Sequence, residues 1–135
     1  MKAECQKEIE EIHQFFEQWY NGVIPYSKDR LALFENTLSY SFNLITPEGK
    51  LFTKEAIINI IKRSYGTRHD QPLIIWTKNF QFKELTPNYL VVMYEEWQKI
   101  NENDTGRLST AIFRKNNLLD SGVEWLHVHE TWLPK

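Results

Sequence analysis

The fold class this sequence predicts is α+β, with helices segregated against one face of a curved antiparallel sheet. Three observations carry that reading: helical periodicity is confined to residues 4–65, strand-length runs fill 73–133, and the connectors between those runs are short and polar. Connectors of that length join antiparallel neighbours, whereas parallel strands would need long crossovers. The 135 residues suffice for one core and leave no linker for another, so 1–135 is read as a single domain.

The first helix is marked by Ile9, Ile12, Phe15, Phe16, Trp19 and Tyr20, which recur every three or four positions from Glu4 to Tyr20 and share one stripe. Asn21-Gly22, followed by Pro25, closes it. Ser27 has N-cap chemistry for a short second helix, with Asp29 at the positive end and Leu31, Phe34 and Leu38 turned inward. Tyr40, Phe42 and Leu44 then alternate with Ser41 and Asn43, as a half-buried strand does. Thr46-Pro47-Glu48-Gly49 suits a type I turn leading to Leu51-Phe52. Thr53 caps a third helix through Ala56, Ile57, Ile60, Ile61 and Tyr65, with Lys62 and Arg63 in its last turn and Gly66 beyond it. The remaining runs, 73–84, 89–100, 106–115 and 123–133, read as a four-strand meander.

Sixteen basic against eighteen acidic residues give a formal charge of −2, which supplies no field to draw the chain to nucleic acid or an anionic membrane. A lone Cys5 excludes an internal disulfide and a thiolate zinc site. Residues 1–8 are polar where a signal peptide is apolar, so a cytoplasmic protein with no membrane partner is expected. Aromatic residues make up 14% of the chain and need a core or a pocket to pack into.

The element order, together with Trp125-Leu126-His127-Val128-His129-Glu130-Thr131-Trp132, resembles the nuclear transport factor 2-like superfamily, in particular its SnoaL-like and ketosteroid-isomerase-like bacterial members. Trp125, His129 and Thr131 match the final-strand pattern of that group, and Tyr94–Gln98 and Arg107–Ala111 are similar to blocks of a branch of unknown function. The resemblance implies a cone-shaped sheet wrapped around the long first helix, with a cavity between them. It does not select a function, because such folds serve as isomerases, cyclases, dehydratases, supporting subunits and assembly domains.

Strand alternation divides the meander into two faces. One holds Tyr94, Glu96, Gln98, Leu108, Thr110, Ile112, Leu126, Val128, Glu130 and Trp132; the other holds Met93, Glu95, Trp97, Arg107, Ser109, Ala111, Phe113, Trp125, His127, His129 and Thr131. The first, apolar in its middle, is assigned to the cavity, so Tyr94, Thr110 and Trp132 should touch a ligand, with Trp19 and Tyr20 in the roof. Glu96 and Glu130 should approach each other across Thr110, one titrating above the usual carboxylate range and able to act as a general base. Replacing Glu96 by Gln should then relieve repulsion. The bland alternative is that both carboxylates stay at a wet rim, since glutamate is seldom buried without a partner. His127 and His129 share a face but lack a third ligand, so no metal and no cofactor are expected. Gly-rich phosphate loops, nucleophile elbows and dinucleotide fingerprints are absent.

The leading expectation is a small-molecule-binding domain. A cofactor-free isomerase or lyase and a non-catalytic dimerisation or assembly module are the alternatives. A homodimer is expected in any case, because Trp97, Phe113 and Trp125 would otherwise leave an apolar patch in water.

Overall fold

The computed structural model describes residues 1–134. In chain order the elements are α1 (Lys2–Asn21), α2 (Lys28–Thr37), β1 (Leu38–Ile45), β2 (Leu51–Thr53), α3 (Lys54–Arg63), β3 (Leu73–Thr86), β4 (Tyr89–Ile100), β5 (Asn103–Lys115) and β6 (Val123–Trp132). No helix among these residues is long and apolar enough to cross a membrane.

The helices form where capping and apolar spacing put them. α1 buries Cys5, Ile9, Ile12, Phe15 and Trp19 along one stripe and ends at Gly22, whose φ of 67° suits a residue without Cβ. A Cβ on Gly22 would stand 3.2 Å from Gly66 Cα, so the end of α1 and the segment after α3 meet at two glycines. Ser27 Oγ accepts the Arg30 N–H at the start of α2, and Thr53 Oγ1 accepts the Ala56 N–H at the start of α3. Trp19, fully buried, donates its indole N–H to the Ile61 carbonyl at 2.8 Å and ties α1 to α3.

The strands form one curved, open sheet in the order β2-β1-β6-β5-β4-β3. The meander β3-β4-β5-β6 is antiparallel as expected, but β1 lies parallel to β6, with Asn43 beside His127 and Ile45 beside His129, so the sheet is mixed. α1 crosses one face of this sheet, and the core fills the space between them.

Register decides which side chains face α1, because residues directly opposite each other share a face. A two-residue turn, Asn101-Glu102 with Asn101 at φ 55°, joins β4 to β5 and starts β5 at Asn103, earlier than the composition suggests. Glu96 therefore lies opposite Arg107 and Tyr94 opposite Ser109; across the next pair Ser109 lies opposite Glu130 and Arg107 opposite Trp132. The expected alternation is correct for β4 and for Val128 and Glu130, but inverted for β5. Arg107, Ser109, Ala111 and Phe113 face α1, whereas Thr110 lies on the far face opposite His129. A register shift after Ile112 also turns Trp125 inward, where its ring meets Phe113 at 4.4 Å.

The expected apolar patch on the outer face is thereby dismantled, since Phe113 is 0% and Trp125 4% exposed, both in the core. Of the three residues only Trp97 lies outside. Its indole covers Gly106, where a Cβ would come within 2.7 Å of the ring, and stacks on Trp76 at 6.3 Å.

Candidate functional site

His13 lies on the buried stripe of α1, four residues after Ile9 and three before Phe16. Its Nδ1 donates to the Ile9 carbonyl at 2.7 Å, a group that can only accept, which leaves Nε2 facing Glu96 Oε1 at 3.0 Å. With Glu96 ionised both ring nitrogens donate, so the pair is an imidazolium and a carboxylate. The other carboxylate oxygen of Glu96 accepts from Gln98 Nε2 at 2.7 Å. One strand away, Arg107 Nη1 donates to Glu130 Oε1 at 3.2 Å. Four ionisable groups from α1, β4, β5 and β6 thus meet on the concave face; His13, Glu96 and Glu130 are each under a tenth exposed.

Their protonation follows from that company. Burial disfavours the ionised form of Glu96, but His13, Arg107 and Gln98 outweigh it and hold the carboxyl down at about 2. Burial likewise opposes charge on His13, yet Glu96 and the Ile9 carbonyl raise its pKa. Glu130 goes the other way: burial and the Glu96 charge push it up to about 7 despite Arg107. Tyr94 is fully enclosed, and burial followed by the two carboxylates raises its phenol well above the usual value. Tyr20 is raised for the same reasons, burial first and then Glu96.

His13, Tyr94, Glu96 and Glu130 form the polar end of a cavity of about 80 Å³ whose apolar walls include Phe16, Phe34, Phe42, Ile57 and Val128, and Arg107 adjoins it through its bond to Glu130. Sites for whole drug-sized ligands span about 300–1,000 Å³, so this cavity is too small to enclose one. A roomier groove of about 580 Å³ opens between α1, α2 and the loop after β5. It is no more open to solvent than the first, and its lining includes Arg30 and the buried Glu8, whose carboxylate accepts from Trp125 Nε1 at 2.9 Å.

Of the residues singled out from the sequence, Tyr94, Glu96 and Glu130 line the cavity together. Trp132, 46% exposed, does not line the cavity; it stands at the rim past Glu130 on the same face of β6, with the Arg107 guanidinium 4.8 Å from its ring centroid. Tyr20 stacks on Phe16 beside the polar end, its ring 5.8 Å from that of Phe16. Thr110 lies across the sheet, and Trp19 is packed between α1 and α3 rather than in the roof. Sequence reasoning missed His13 and placed Arg107 on the outer face. The signal for His13 was its place on an otherwise apolar stripe, where an ionisable residue needs a buried partner. His127 and His129 lie on the outer face, His127 bonded to Asn43, and among the described residues no three His, Cys, Asp or Glu side chains gather as metal ligands.

Compared with known proteins, residues 5–134 match the family described as sucrose-6-phosphate phosphohydrolase C-terminal. Sucrose-phosphatase 2 of Nicotiana tabacum is 23% identical over 127 residues, covering 93% of this chain and 30% of that protein. This chain therefore spans about 30% of the length of the curated relatives it matches. Among solved structures, an NTF-2 like protein of unknown function from Pseudomonas aeruginosa aligns with a TM-score of 0.83 at 22% identity, covering 97% of this chain and 99% of that one. The CaMKII hub of S. rosetta aligns with a TM-score of 0.59 at 11% identity, covering 82% and 100%. At such identities the likeness is one of fold, which is nuclear transport factor 2-like.

Proposed function

The chain belongs to the sucrose-6-phosphate phosphohydrolase C-terminal family, and we propose that its own role is to bind a small polar molecule at the concave face. The observation that supports this is the convergence of His13, Glu96 and Glu130 on one end of an apolar cavity, with Arg107 paired to Glu130 beside it. Taking such ions out of water costs several kcal/mol each, and a core of the same volume could be filled by apolar side chains. Glu96, held ionised, is a fixed acceptor. Glu130, half-protonated near neutrality, both donates and accepts, and Trp132 offers a flat surface at the rim. Aromatic ring and carboxylates side by side suit a hydroxyl-rich ligand, and the relatives' names make sugars and sugar phosphates the first compounds to test.

Isothermal titration with hexoses and hexose phosphates checks this. Saturable binding that Trp132→Ala weakens at least tenfold is the expected result, whereas heats indistinguishable from dilution across the panel would remove the reading.

Two other roles retain support. A Glu130 pKa of about 7 suits a general base, which keeps a cofactor-free isomerase or lyase open. The stacked Trp76 and Trp97, with Ile74 and Leu108 partly exposed nearby, favour a homodimer or assembly contact on the outer face, as does likeness to a hub domain.

A further inference from the structure

We propose that the concave site selects ligands carrying an anionic group, which takes the Arg107 guanidinium from Glu130 while Glu130 takes up a proton. This rests on the small-molecule reading above and assigns the ligand its charge.

The argument begins with how the charges are shared. His13 and Glu96 satisfy each other at 3.0 Å, and Gln98 occupies the second oxygen of Glu96, so that pair is closed to further ionic partners. Arg107 and Glu130 are different. They share one contact, Arg107 Nη1 to Glu130 Oε1 at 3.2 Å, long for a charge-assisted bond. The Arg107 side chain is 19% exposed against 8% for Glu130 and lies against Trp132 at the rim, so the cation of this pair is the member open to a ligand from solvent while Glu130 lines the cavity behind it. Guanidinium binds phosphate or carboxylate in a planar, two-pronged fashion that a single long contact to Glu130 does not use.

The groups facing Glu130 are His13 from α1, Glu96 from β4 and Arg107 from β5. With Glu130 ionised the four charges sum to zero; with it protonated they sum to +1, carried at the rim by Arg107. An arriving anion removes Arg107, the hydrogen-bonded one of the two cations that favour ionised Glu130, and adds a second negative neighbour beside Glu96. Both effects favour the protonated carboxyl, which already forms near neutrality. Anion binding and proton uptake are therefore one linked event, and the proton comes from solvent.

The test compares a hexose with its phosphate by calorimetry at pH 6, 7 and 8 in buffers of different protonation enthalpy, with inorganic phosphate as a third ligand. The hexose phosphate should bind at least tenfold tighter than the hexose at pH 6. That advantage should fall by up to about tenfold per pH unit above 7, with close to one proton taken up per ligand at pH 8. Glu130→Gln should abolish both the uptake and the pH dependence. Equal affinity for hexose and hexose phosphate would overturn the anion preference while leaving the binding reading in place. Uptake that persists in Glu130→Gln would place the proton on the ligand phosphate or another group and overturn the role of Glu130. Absence of binding by all three ligands would remove both readings. Inorganic phosphate binding as tightly as the hexose phosphate, with the same uptake, would support the charge assignment and take the sugar out of it.

Discussion

His13 reverses what the two carboxylates would do alone. Read from the strands, Glu96 and Glu130 form a repelling pair, and removing Glu96 should help; with the imidazolium 3.0 Å away, Glu96 is instead the anion of a buried ion pair. Glu96→Gln should lower stability by roughly 3 kcal/mol, measured by denaturant unfolding, because it strands a buried cation. The group whose removal relieves the site is Glu130. Its pKa is raised from 4.5 to about 7, so the folded state holds a proton that the unfolded state has lost, and stability falls as pH rises through that window. Glu96, lowered to about 2, adds stability that is present above 4.5 and lost as pH falls from there towards 2. His13, raised, adds stability present below its ordinary value of 6.5 and lost as pH rises through its folded value. Together these groups favour mildly acidic pH. Glu130→Gln should flatten the decline between about pH 4.5 and 7, and an unchanged slope would mean that Glu130 titrates normally. His13 and Arg107 stayed illegible for different reasons: the partner of His13 is 83 residues away, and the side of the sheet that Arg107 occupies depends on one turn.

That turn shows how far an element can be read from its own sequence. All the helices and strands are recoverable from spacing and caps, because these depend on neighbours two to four positions away. Register is not local in that sense. Taking 101–105 as the connector leaves the phase of β5 undetermined, whereas the observed two-residue turn at Asn101-Glu102 fixes it and carries Arg107 inward and Thr110 outward. The same register places Gly106 beneath Trp97. Gly106→Ala should therefore displace the indole and cost about 1–3 kcal/mol, seen as a lowered midpoint of thermal unfolding with altered tryptophan fluorescence. A fully native Tm would show that the ring moves aside freely.

Across the whole molecule, the α+β class and the sheet-and-helix arrangement were legible, but the parallel seam between β1 and β6 was not. It joins segments some eighty residues apart with α3 and four strands between them, and no local pattern encodes such a contact. It has a structural consequence: β6, which supplies Glu130, is an interior strand flanked by β1 and β5. Association belongs to this scale too. Light scattering at micromolar concentration should report a dimer that Trp97→Lys dissociates; a monomeric native protein would remove the outer face as a contact surface.

The junction at the end of α1 bears on time rather than affinity. Asn21 donates to the Leu73 carbonyl and accepts the Leu73 N–H, both at 2.8 Å, while the Gly66 and Arg68 N–H groups bond the Trp19 and Tyr20 carbonyls. One end of α1 is thus fastened to an edge strand and to the segment after α3, immediately beyond the residues that cover the polar end of the cavity. A molecule cannot reach Glu96 by levering this end upward without first breaking those bonds. Passage should instead follow side-chain motion at the Trp132 rim, with residence set by rotamer exchange rather than by helix opening. The amide hydrogens of Gly66, Arg68 and Leu73 should accordingly rank among the slowest of the loop and edge positions to exchange with solvent, whether or not the site is filled.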